Sequence, residues 1–403
     1  MERIKINSLK DKKNYCEDKK DENIVVGSDR YAVDNFKAFL KSVGKKKKIS
    51  FIDKVVLWGL LQMNYRPDIT SPSARFQAWI LHKNKSKYWD FYMKSQKERD
   101  VFSYFYGLEQ LLSFYKSKYN LSGLAMILQK HYNYPFYVNQ NLAQTLIEKQ
   151  KDFTKNKHLK SAYYKADWPL QVGESLKKIP YLKLIKLYRK KKNRNYKTNN
   201  YLFPYHSLSK VEGLQISCNK DLNLYKHFAY LADNKNYPAN TFALEDGKGN
   251  MFLGYVSQGR DGHQNFADTF LLKGNPTLRP AVFCRVAVDE KELFLMSTEG
   301  RDPGQYLFQL IEKKIYKSNN FQEVDEMLRS ARRFYLLNPL RVLYESEKGG
   351  EEELDKILAS SVPVYHGKNL GNVWVYGKLP NNTRGFILEA RSKWELSCLE
   401  GKQ

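Results

Sequence analysis

The sequence holds only four cysteines in 403 residues (Cys16, Cys218, Cys284, Cys398), and no two of them form a C-x-x-C. Zinc and redox motifs of local spacing are thereby excluded. An even count permits two disulfides, but a chain of this length does not depend on them, and free thiols are the expectation when no export signal is in view. The first twenty residues, MERIKINSLKDKKNYCEDKK, lack the apolar core of a signal peptide. The stretch Phe51 to Met63 is apolar but short and carries Asp53 and Lys54, so it is no membrane span. The chain reads as cytoplasmic by default, or as extracytoplasmic if an export signal is missing from it.

Common catalytic designs are absent too. There is no G-x-x-x-x-G-K-[ST], no G-x-G-x-x-G after a strand, no G-x-S-x-G and no H-E-x-x-H. Five of the seven histidines (His82, His131, His158, His206, His227) are single and scattered. These patterns call for no cofactor and no metal.

What is abundant is positive charge, a net +25. Between Lys151 and Lys197 lie fifteen Lys or Arg against three acids, so nearly half of the excess sits in 47 residues. Clustered charge of one sign draws polyanions by counterion release. Lys183, Lys186, Arg189, Lys190, Lys191, Lys192, Arg194 and Lys197 are the candidate contacts, with Tyr196 as a face on which an unpaired base could stack. The best functional expectation is therefore a basic, non-enzymatic binding protein for a polyanion: nucleic acid, an anionic lipid surface or an acidic polymer. A phosphoester hydrolase in the C-terminal part is the first alternative, and a structural or envelope protein with incidental charge the second.

Hydrophobic residues at 42% suffice for real cores. The spacing of Phe51, Val55, Val56, Leu60 and Met63 predicts a helix with one buried stripe, and 104–119, 121–131, 139–149 and 181–192 repeat that period. Later the grammar changes. Residues 242–245 and 251–257 flank Asp246-Gly247-Lys248-Gly249-Asn250 as a hairpin, and 281–288 pairs with 293–297. Asp302-Pro303 and Asn320 open helices. Residues 340–344, 351–359 and 362–365 read as strand, helix and parallel strand. The fold class expected is α+β: a mainly helical N-terminal half, then a mixed α/β C-terminal domain around one sheet. Its parts are a mobile polar tail (1–28), a helical basic domain (29–192), a linker (193–209) and the mixed domain (210–403).

Three further loops hold candidate chemistry. His366-Gly367-Lys368 resembles half of the phospholipase D motif, in which a His and a Lys one residue apart handle a phosphodiester; that family expects Asp five residues after the Lys, where this chain has Val373. His263 stands between Asp261 and Asp268 in a Gly-rich stretch. Arg301, just before the Asp302 cap, is a candidate anion contact.

Overall fold

The structure, a computed structural model, describes residues 14–17, 22–44, 47–93, 102–148, 150–154, 157–190, 196–206, 211–227, 239–257, 281–298, 302–336, 339–349, 351–368, 370–389 and 395–398. Most of the expected polar tail, 1–13 and 18–21, lies outside the described residues. The contacts divide the chain into two units, each assembled from separated stretches. One holds residues 1–24, 201–236 and 281–403; the other holds 25–200 and 237–280.

In the second unit the strands run in the order Ile24–Gly27, Ala239–Glu245, Met251–Ser257, Arg75–His82, Lys85–Met93, Tyr196–Asn199. Every pairing from Ala239–Glu245 onward is antiparallel. The expected hairpin forms, closing through Gly247 (φ 69°) and Gly249 (φ 77°), a left-handed backbone that glycine adopts at little cost. Glu245 Oε1 accepts from both of those amides, at 2.9 and 3.3 Å.

One face of this sheet is aromatic. Phe76 packs against Phe91, Phe242 and Phe252, and Tyr104 from the helix Ser103–Phe114 meets it edge-on at 5.2 Å. Burying each such ring contributes about 1.5–3 kcal/mol. Gly107 explains how closely the helix approaches: a Cβ there would sit 2.7 Å from Phe76 and 2.8 Å from Phe91. The helix Phe51–Tyr65 begins at a capping box, in which Ser50 and Asp53 each accept from the other's amide. Only Lys54 among its fifteen residues escapes burial, so it is enclosed on all sides rather than along one stripe.

The other unit is built on a seven-stranded antiparallel sheet: Tyr15–Glu17, Arg384–Leu388, Asn372–Lys378, Lys291–Thr298, Val282–Val288, Gln215–Cys218 and Phe203–Pro204. Two helices cover it. Leu307, Leu310 and Ile311 of Pro303–Glu312, with Val324 and Leu328 of Phe321–Arg329, share one core with the strand residues Val282, Cys284, Val286, Leu295, Val373 and Val375. Asp302 caps the first of these helices, accepting from Gly304 N at 3.1 Å, and Asn320 caps the second, accepting from Glu323 N at 2.9 Å. The expected strand, helix and parallel strand are Arg341–Tyr344, Glu351–Leu358 and Val364–His366.

Three expectations are corrected. The N-terminal half is not mainly helical, because Arg75–His82 and Lys85–Met93 are central strands of a sheet. Their alternation is hidden: Phe76 to Leu81 are buried on both faces, so polar and apolar positions do not alternate as they do in a half-exposed strand. Nor does the C-terminal part surround one sheet, since Arg333–Leu336, Arg341–Tyr344 and Val364–His366 form a separate three-stranded one. The cysteines are not free either. Cys16 is joined to Cys398 and Cys218 to Cys284.

Candidate active site

Alternation along the central strands of the second unit sorts their side chains onto two faces. Phe242, Phe252, Phe76 and Phe91 take the face toward the helices. Thr241 falls on the opposite face. The register places Ala239 across from Ser257, and Ser257 across from Arg75. One step along, Thr241 is across from Tyr255, Tyr255 from Gln77, and Gln77 from Asp90. Two adjoining rungs therefore carry Thr241, Ser257, Arg75, Gln77, Tyr255 and Asp90 on one surface of the sheet.

This surface is largely buried, yet most of it is polar. Arg75 Nε donates to Asp90 Oδ1 at 2.8 Å, and its second nitrogen pairs with Asp90 Oδ2. Burial works against the Arg75 charge, but Asp90's charge and hydrogen bonds outweigh it and raise the guanidinium pKa. Gln77 Nε2 donates to Tyr88 Oη at 2.5 Å. Thr241 Oγ1 and Ser257 Oγ, each about 1% exposed as residues, have no hydrogen-bond partner among the described residues. A buried hydroxyl without a partner is costly, and a water, a ligand or a reacting group completes the bonding of such atoms.

On the helix side of the same strand, Asn240 Nδ2 donates to Thr70 Oγ1 and to Gln62 Oε1. Thr70 belongs to a loop, 66–74, whose every residue is buried. Arg66 and Asp68 in that loop pair through two bonds, at 3.0 and 2.9 Å. Loops ordinarily run over the surface, so a buried polar loop at the head of a central strand sets that place apart from the rest of the fold.

None of the candidates named from sequence is among these residues. His366 is exposed at the end of its strand, with Nδ1 2.9 Å from Ser346 Oγ and Nε2 3.6 Å from Glu347. Lys368 reaches the same Glu347 at 3.5 Å. His263, Arg301, Lys191, Lys192 and Arg194 lie outside the described residues. Lys183, Lys186, Arg189 and Lys190 are exposed on the helix Tyr181–Lys190, while Tyr181, Leu184, Ile185 and Tyr188 are buried. Tyr196 stacks on Tyr106 at 4.8 Å and accepts from Phe102 N, so its ring is already engaged. Lys197 is exposed on the strand Tyr196–Asn199. Within the basic stretch, Lys160 pairs with Asp167 and Lys165 with Glu174.

No protein-family model and no curated protein sequence matches this chain. Solved structures do. The cephalosporin acylase from Bacillus halodurans superposes with a TM-score of 0.62 at 10% identity, covering 97% of this chain and 98% of that one. LmbA2991HD does so with a TM-score of 0.68 at 8% identity, covering 95% and 99%. The chain shares their fold. That shared fold overturns the expectation of a basic, non-enzymatic polyanion binder. Among the described residues no helix is long and apolar enough to cross a membrane.

Sequence reasoning passed over Thr241, Ser257, Arg75 and Asp90. Their signal was available but quiet: Arg75, Gln77 and Asp90 are polar residues inside aromatic-rich runs, and Thr241 sits at the head of the expected hairpin.

Proposed function

We propose that this chain is a hydrolase or acyltransferase acting on an amide bond, with the Thr241 hydroxyl as its nucleophile. The observation that carries the reading is the buried, unpartnered Thr241 Oγ1 beside Ser257 on a central strand, in a chain that shares an acylase fold over 97% of its length.

A threonine hydroxyl needs a base to become a nucleophile. Of the carboxylates on its surface of the sheet, Asp90 is committed to Arg75, and Glu245 accepts from the amides of Gly247 and Gly249 in the hairpin turn. A threonine at a chain N-terminus supplies its own base, the free α-amine. Residues 219–240 contain no Ser, Thr or Cys, so Thr241 is the first hydroxyl that this strand offers. Its amine is released when Oγ1 adds to the Asn240 carbonyl and the C–N bond breaks, the nitrogen taking the hydroxyl proton. Water then cleaves the resulting ester, leaving an Asn240 carboxylate and a free Thr241 amine. In turnover the same hydroxyl attacks a substrate amide, the amine passes its proton to the leaving nitrogen, and water or a second amine accepts the acyl group.

Intact mass and N-terminal sequencing test the first step, and a panel of chromogenic N-acyl amides tests the second. The expected result is two fragments, 1–240 and 241–403, with turnover that Thr241→Ala abolishes and Thr241→Ser partly retains. A single uncleaved chain without turnover, or activity indifferent to Thr241→Ala, overturns the reading.

A further inference from the structure

The second unit holds a cavity of about 270 Å³ that no step above uses. It lies where the helices Phe51–Tyr65 and Leu121–His131 meet the first turn of Tyr181–Lys190. Leu61, Leu128, Phe136, Ile179, Pro180 and Leu182 make most of its wall apolar. Gln129, Tyr132 and Tyr181 also line it, two cations, Lys178 and Lys183, complete the lining, and no carboxylate is among the lining residues. Both lysines are exposed, so their charged ends can stay in water while the wall beneath them is apolar. Lys178 Nζ also donates to the Tyr132 carbonyl at 3.3 Å, which holds one of the two charges at the cavity.

An apolar body and a mouth of one charge sign define a ligand class. We propose that this cavity binds a small amphipathic carboxylate, with its hydrocarbon part against Leu61, Leu128 and Phe136 and its head group between Lys178 and Lys183. A neutral alcohol of equal chain length gains the apolar contact but not the ion pairs, and an ammonium meets repulsion from both lysines. The positive end of the helix Tyr181–Lys190 adds to the same preference. The site is separate from Thr241, so its success or failure leaves the amide-cleavage reading untouched.

Isothermal titration of the full chain with octanoate, 1-octanol and octylamine tests this. Octanoate is expected to bind at least tenfold more tightly than octanol, with octylamine weakest, and added salt should narrow the gap. Lys178→Gln with Lys183→Gln should remove the octanoate advantage while leaving octanol binding and the melting temperature in place. Equal affinity for the three probes, no octanoate binding at millimolar concentration, or an octanoate advantage that survives the double substitution would overturn the proposal.

Discussion

Asn240 donates from Nδ2 to Thr70 Oγ1 across 2.8 Å, joining the head of a central strand to a loop that is buried throughout. The same nitrogen reaches Gln62 Oε1 at 3.1 Å. Removing the amide strands two buried acceptors at once. Asn240→Ala is expected to lower stability by about 1–3 kcal/mol, measured by urea denaturation. A loss below a few tenths of a kcal/mol would show that the loop and strand are held by other contacts.

Arg75 and Asp90 form a largely buried pair between neighbouring strands. Breaking such a pair from one side leaves a charge without its partner, at about 3–5 kcal/mol, whereas replacing both partners with apolar residues of similar volume is often neutral. Asp90→Asn should therefore destabilise far more than Arg75→Met combined with Asp90→Leu. Denaturation midpoints of the two variants compare them directly, and equal losses would contradict the account.

Local signals were legible in the sequence and long-range ones were not. Asp302 with Pro303, and Asn320 with Glu323, mark helix starts, because capping is settled within four residues. The Asp246 to Asn250 turn was legible for the same reason. The strands Arg75–His82 and Lys85–Met93 were not, since the strands that flank them, Met251–Ser257 and Tyr196–Asn199, lie far along the chain. The candidate site was hidden by the same distance. Thr241, Ser257, Arg75 and Asp90 become neighbours only through strand register, whereas the lysine cluster was conspicuous because its members are adjacent in the chain.

Cys218 and Cys284 face each other directly across an antiparallel pair and are joined, as are Cys16 and Cys398. A thiol count under denaturing, non-reducing conditions should therefore find none free. Removing a native disulfide costs about 2–5 kcal/mol, so Cys218→Ser with Cys284→Ser should lower the melting temperature measurably. Four free thiols in protein from its native source would remove both bridges.

Asp29 gives stability a pH dependence of definite sign. Its Oδ1 accepts from Ala32 N at 2.7 Å at the start of the helix Arg30–Gly44. Burial raises its pKa above the ordinary carboxylate value despite hydrogen bonds from Ala32, Ser28 and Asn139 and the charge of Arg66. A carboxyl raised in the folded state favours folding below its unfolded pKa, and that contribution is lost as pH climbs through the folded value. Asparagine cannot ionise, yet its side-chain oxygen can still accept from Ala32. Asp29→Asn is therefore expected to be more stable than the parent at about pH 7.5, with the difference closing as pH falls toward the ordinary carboxylate range near about 4. Melting temperatures of both proteins across that range decide it: a gap independent of pH would mean that Asp29 does not titrate on unfolding, and a less stable variant at the upper end would mean that its ionised form is the one the fold favours.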